Sequence, residues 1–348
     1  MKRFAVPFLF LLALLPARAA TNLPPATALL LNEKTIFDLT AGYHQYERLP
    51  TLKGKMVSAG SGLVTILVNR WASEFAGFYP DVVLDIHGGG STASLSNFLA
   101  GKVDLLPMAR PLNPEELASC KNKFGYEPAQ IVVAQDAVGI YVNKINPLAG
   151  LTMTQLDGIY SSDAKRSGKL AEFWSDLGVG EVLGGERISR MALSQAHGTH
   201  AFFRDTVMLG SDYRFDCHIE SLSSSVVQAV GADEAGIGFA SVMWATPRTR
   251  FVALQAADGR SFVPSYENVV TGRYPLARPM RVVFHRKPDG GMNPVAREFL
   301  RYAVSRRGQR KIALAGTYPL ALEQQREALR IIGNVPENKS EPQGKSPN

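Results

Sequence analysis

Leu63, Leu67, Trp71, Phe75 and Phe78 recur at three- and four-residue spacing, and this stripe predicts a helix over residues 63–78, stopped by Pro80. Short apolar runs on either side, 55–59 and 82–86, read as strands. The loop His87-Gly88-Gly89-Gly90 follows, with Ser91 as the cap of a helix over 92–100 that Gly101 ends. A strand over 103–108, a helix over 115–123 and strands over 131–134 and 139–143 complete the stretch. This β-α-β-α-β order predicts a mostly parallel sheet covered by helices. A second α/β stretch, from about 151 to 252, holds helices over 154–160, 199–208 and 224–231 and a strand over 237–240. The strand 281–285 and helix 294–305 read as a return to the first stretch. A chain that crosses more than once between two lobes makes a hinge and leaves a cleft.

The two ends read differently. Lys2 and Arg3, the apolar run 4–15 and the small-residue pattern Ala17-Arg18-Ala19 form a secretory leader, residues 1–20, with cleavage expected after Ala19 or Ala20. The apolar run is too short to span a membrane, and no cysteine follows it to carry a lipid. An exported protein, most simply periplasmic, is therefore expected. Residues 21–53 read as an N-terminal extension with a short helix over 33–41, and 333–348 as a polar, Pro-containing disordered tail. Between them, 54–140 plus 270–332 form lobe 1 and 141–269 form lobe 2.

Composition changes this picture little. The chain has 348 residues, of which 45% are hydrophobic and 20% charged, enough apolar material for one large core or two medium ones. Of the formal net charge of +7, three positives lie in the leader, leaving +4, a mild bias that suits an anion. Cys120 and Cys217 fall in different lobes, where a bridge would lock the hinge, so they are expected to be unpaired. The cluster Arg306, Arg307, Arg310 and Lys311 reads as the solvated face of a helix. No interleaving of basic and aromatic residues points to nucleic acid.

Candidate chemistry lies in three strand-to-helix turns: Ala59-Gly60-Ser61-Gly62-Leu63, Gly88-Gly89-Gly90-Ser91-Thr92 and His197-Gly198-Thr199-His200. The first turn of a helix has unpaired N–H groups and a positive dipole end. Glycine lets the backbone approach a ligand, and Ser or Thr adds a hydroxyl. Three such ends facing one cleft make an anion site from neutral donors. No nucleophile elbow, nucleotide P-loop or zinc-protease motif is present, so neither catalysis nor a cofactor is expected. A metal held by His87, His197 and His200 is the weaker alternative for the same loops.

Six ordered blocks over roughly 54–322 resemble the periplasmic phosphate-binding proteins of bacterial phosphate importers. The first runs from Met56 through MVSAGSGLVTILVNRW and DIHGGGS to MARPL; the second is DAVGIYVNKINPLAGLTMTQLDGIY. HGTHAFFRD, SSSVVQAVGADEAGIGFAS, YPLARPMRVVF and EFLRYAVSRRGQRKIALAGTYPL follow. The resemblance implies a type II periplasmic binding protein, two α/β lobes around a cleft, acting as a monomer that binds phosphate or a related oxyanion for an inner-membrane ABC permease. It implies a ligand set of Ser61, Gly62, Leu63, Ser91, Thr92, Arg110, His197, Gly198 and Thr199. Four positions depart from the family. Gly62 stands where a hydroxyl is expected, and Ala109 where an acidic residue or Ser is expected. Leu193 takes the place of an Arg, with Arg190 three residues earlier, and His197 that of a Ser. A divergent binding or sensor protein of the same fold, with another ligand and no transport role, is the alternative these departures raise.

Overall fold

The computed structural model describes residues 31–333 except 167, 181 and 182; the expected leader, the first part of the extension and the tail from 334 lie outside the described residues. The chain opens with α1 (Glu33–Leu39), β1 (Gly54–Gly60), α2 (Gly62–Phe78), β2 (Val82–Gly88), α3 (Ser91–Leu99), β3 (Leu105–Met108) and α4 (Pro114–Phe124). β4 (Ala129–Asn143), β5 (Gly150–Leu151), α5 (Met153–Tyr160), β6 (Ser189–Leu193), α6 (Gly198–Thr206), β7 (His218–Glu220) and α7 (Ser223–Ala232) follow. Next come β8 (Gly236–Ser241), β9 (Thr249–Phe251), β10 (Ala253–Gln255), β11 (Ser261–Phe262) and α8 (Tyr266–Val270). β12 (Ala277–Phe284), α9 (Pro294–Val304), α10 (Arg306–Ala313) and α11 (Leu322–Ile332) complete the chain.

One sheet runs through both lobes in the order β2-β1-β3-β12-β4-β8-β6-β7, with β9 beside β4. The sequence predicts a mostly parallel sheet, and this holds only within each lobe. The central strands β12 and β4 run antiparallel to each other and to their outer neighbours β3 and β8. The reason is that β4 is a single strand of 15 residues rather than the two expected. Its first half pairs with β12 and its second half with β8, so it passes directly from one lobe to the other. The polar pair Gln135-Asp136 looks like a break in the sequence. In the fold both side chains are buried and partnered, Gln135 to Gln324 at 2.7 Å and Asp136 to Arg278 at 2.7 Å.

Each lobe has its own core. In lobe 1, Leu67, Trp71 and Phe75 of α2 pack with Phe299 and Tyr302 of α9 on one face of the sheet, and Phe98, Cys120 and Val283 lie on the other. In lobe 2, Tyr141, Ile159, Trp174, Phe203 and Phe239 pack together. Cys120 and Cys217 are free. The basic cluster corrects its reading as a solvated face. Arg306 and Arg310 hold the extension, Arg310 donating to Thr40 Oγ1 at 2.8 Å and lying 4.0 Å from the Phe37 ring centre. Arg307 and Lys311 pair with Glu74 of α2. These contacts are distant in sequence, so a helical-face pattern cannot show them.

Candidate functional site

A cavity of about 610 Å3 opens between the lobes beside the two crossing strands. Lobe 1 supplies Ser61, Gly62 and Leu63 from the start of α2, and Gly89 and Gly90 from the loop before α3. Lobe 2 supplies His197, Gly198 and Thr199 from the start of α6, and Leu222, Ser223 and Ser224 from the start of α7. A second recess of about 470 Å3 shares Ser61, Gly90, Ala109 and His197 and adds Arg110 and Asp205. The three glycine turns singled out in the sequence thus converge, and a fourth helix start joins them.

The pattern of caps distinguishes three of these four helix starts from the others, α6 being capped by His197. The N-cap side chains of α1, α4, α5, α8, α9 and α10 (Asn32, Asn113, Thr152, Ser265, Asn293 and Ser305) accept first-turn N–H groups. At α11, Gln324 reaches back to the Ala321 N–H at 3.0 Å. The N-caps Ser61, Gly90 and Leu222 of α2, α3 and α7 give no such bond. A helix leaves its first four N–H groups without intrahelical partners, so the cleft receives donors that elsewhere in the chain are consumed locally. Gly90 reaches this position at φ 91°, a left-handed value that favours glycine. Ser91 is expected as the cap of α3 but is its first helical residue, because Gly90 takes the cap position. Ser91 and Thr92 head α3, next to Gly89 and Gly90, which line the cavity.

Arg278, which the sequence reading left out, is the one cation lining the larger cavity among the described residues. It lies on β12 opposite Asp136 of β4, where both strands cross between lobes. Its side chain is 2% exposed. Nη2 donates to Asp136 Oδ2 at 2.7 Å and Nη1 to Thr199 Oγ1 at 3.1 Å, while Nε has no partner. Asp136 is fixed in turn by the Ser241 hydroxyl at 2.5 Å. A buried guanidinium with an unpaired N–H is costly unless an acceptor arrives.

The other candidates divide. His197 caps α6, its Nδ1 accepting the Thr199 N–H at 3.2 Å. Burial, then Arg278 and His200, hold the imidazole pKa below its ordinary value. It is therefore neutral near neutral pH, with its proton on Nε2, 3.4 Å from the Ser223 hydroxyl. It offers one donor and no charge. Arg110 lines the second recess, but Glu116 holds its guanidinium with two bonds of 2.7 Å. Arg190 does not reach the cleft: it is buried in lobe 2, donating to Ile188 O and Asp216 at 2.9 Å. His87 pairs with Asp85 at 2.5 Å and His200 packs edge-on against Tyr213, so neither lines the cavity with His197.

Arg278, Ser223 and Trp244 are among the cleft residues absent from the set expected from the sequence. Arg278 had a signal, since an Arg-Pro inside the apolar block YPLARPMRVVF is out of place in a strand unless the arginine is paired. The run Ser223-Ser224-Ser225 heading a helix was another. Trp244 had none.

Comparison with known proteins agrees with this geometry. A family model for the PBP superfamily domain matches residues 47–307. The phosphate-binding protein PstS of Pseudomonas aeruginosa is 31% identical over 83% of this chain and 90% of its own length. A possible phosphate-binding protein of Planctomyces limnophilus superposes with a TM-score of 0.64 at 22% identity, covering 81% of this chain and 98% of that one. An ABC-type phosphate transport receptor from Vibrio cholerae superposes with a TM-score of 0.62 at 21% identity, covering 76% and 99%. These likenesses share the type II two-lobed fold.

Proposed function

This chain belongs to the periplasmic phosphate-binding protein family within the PBP superfamily, and from that premise we propose that it captures phosphate or a related oxyanion between its lobes. It is an exported binding protein, not an enzyme, and it delivers the anion to an ABC permease in the inner membrane. The leader expected at residues 1–20 supports export to the periplasm. The observation that carries the reading is Arg278: a buried cation with an unpaired N–H, in a cleft where the starts of α2, α3 and α7 have no side-chain cap. Closure of the lobes brings Ser61, Gly62, Leu63, Ser91 and Thr92 of one lobe toward His197, Gly198 and Thr199 of the other, with Arg278 at the base. Arg110 serves at the rim, where Glu116 leaves it little free charge. Anion binding at a hinge residue favours the closed state, because Arg278 gains a partner only when both lobes shut around it.

Calorimetric titration of the mature chain with inorganic phosphate tests this, with a dissociation constant in the micromolar range or below expected. Binding no tighter than millimolar, unchanged by Thr199→Ala, removes phosphate as the ligand. The same titration probes the hydroxyl missing at position 62. A Cβ at Gly62 meets no atom within 4 Å, so the side chain of Gly62→Thr starts into open space. One added hydrogen bond to a charged group is worth about 1.5–3 kcal/mol, so phosphate affinity is expected to rise roughly tenfold or more. An unchanged or weaker affinity places the anion away from the head of α2.

A further inference from the structure

Of the four positions that depart from the family, His197 alone carries a titratable side chain, and it lines both the larger cavity and the second recess. It joins two helix starts of lobe 2 to the crossing strand. Its Nδ1 accepts the Thr199 N–H at 3.2 Å at the head of α6, and the Thr199 hydroxyl accepts from Arg278 Nη1 of β12 at 3.1 Å. Its Nε2 lies 3.4 Å from the Ser223 hydroxyl at the head of α7. The bond to Thr199 exists only while Nδ1 carries no proton, because an imidazolium donates from both nitrogens and accepts at neither. A second proton on His197 therefore breaks the cap, returns the Thr199 N–H to the cleft and adds a positive charge there.

The neighbours set when that proton arrives. Arg278 faces the ring from β12, and His200 lies one turn along α6. Asp205 of α6, and Arg110 in the grip of Glu116, line the second recess with it. Asp136 of β4 is engaged by Arg278 and Ser241. Among the described residues, α7 and the rest of lobe 1 bring only neutral groups to the two recesses, Ser223, Ser224, Ser61 and Ala109 among them. Burial, then Arg278 and His200, keep the ring neutral, and the positive end of α6 acts in the same sense. An oxyanion among these donors reverses the balance, since an opposite charge within about 4–6 Å favours the protonated form.

Resting on the anion-binding reading above, we infer that His197 is a proton-coupled ligand: capture of the oxyanion draws a proton from solvent onto the imidazole, which turns from capping α6 to donating to the anion. The sign follows from linkage. The complex binds more protons than the free protein, so affinity rises as pH falls. As the medium acidifies, phosphate passes from dianion to monoanion, and the imidazolium offsets the charge that the ligand loses.

Inorganic phosphate, titrated calorimetrically into the mature chain and into His197→Asn at pH 7.5, 6.0 and 5.5, provides the test. Each titration is run in two buffers of different ionisation heat, which counts the protons taken up. Asn32, Asn113 and Asn293 cap three other helices of this chain, so the variant keeps a cap on α6 that cannot titrate. The ionisation of phosphate itself is common to both proteins and cancels in the ratio of their affinities. That ratio, parent over variant, is expected to rise at least about threefold between pH 7.5 and 5.5. The parent is expected to take up more protons per phosphate at pH 6.0 than the variant does, and His197→Ser to behave as His197→Asn. A ratio that stays flat or falls, or equal proton uptake by the two proteins, overturns the inference and leaves the anion-binding reading standing. If phosphate binds neither protein at any of these pH values, both readings fall together.

Discussion

Arg278→Met is expected to weaken oxyanion binding by on the order of a hundredfold or more, because truncating one buried, hydrogen-bonded charged group typically costs 2–5 kcal/mol or more. Arg278 lines the cavity, its side chain is 2% exposed, its Nη atoms serve Asp136 and Thr199, and its Nε is unpaired, so in the proposed site it is the one full positive charge within reach of the anion. The substitution has a second effect that must be separated from the first. It leaves Asp136 buried without its cation, which costs about 3–5 kcal/mol of stability. The double variant Arg278→Met with Asp136→Asn removes both charges and is expected to recover much of the melting temperature without recovering binding. Arg278→Lys keeps the charge but not the fork, so its loss of affinity is expected to be intermediate. Wild-type affinity in a folded Arg278→Met protein would show that the anion sits elsewhere in the cleft.

The same residue shows where sequence reading stops. The helices and glycine turns were legible because their signals are local: a stripe such as Leu67, Trp71 and Phe75, or a Gly-Ser run at a strand end. Their convergence on one cleft could be expected from the α/β order and from the family blocks. The Arg278–Asp136 pair joins residues 142 apart in sequence. Until that pairing is known, Asp136 interrupts a strand and Arg278 looks like surface charge. The missing arginine at Leu193 was sought nearby, at Arg190, but the fold spends Arg190 on carbonyls inside lobe 2. In the proposed site a cation from β12 stands in for one from lobe 2, and its pairing with Asp136 follows from the three-dimensional register of β12 on β4. The extension illustrates the same limit. Arg306, Arg310 and Glu298 hold it through contacts with Tyr43, Thr40 and Tyr46, which no periodicity links.

Gly60→Ala is the substitution expected to damage the site most through the backbone alone. A Cβ at Gly60 would stand 2.1 Å from the carbonyl oxygen of Pro107 and 2.8 Å from its nitrogen. Both are backbone atoms of the adjacent strand β3, which cannot swing aside as a side chain can. The Ser61 N–H donates to that same Pro107 oxygen at 2.8 Å, and the Gly90 N–H donates to Gly60 O at 3.1 Å. One close approach therefore fixes the head of α2 and the glycine loop before α3 together. Forcing the strands apart costs about 1–3 kcal/mol by overpacking, or more where backbone must move. It also shifts two of the four helix starts at the cleft. Gly60→Ala is thus expected to lower the melting temperature by several degrees and to weaken phosphate binding by tenfold or more. Gly62→Ala, two residues on in open space, is the control, expected within about 0.5 kcal/mol of wild type in stability. If both alanine variants melt alike, the tight crossing of β1 and β3 does not set the geometry of the anion seat.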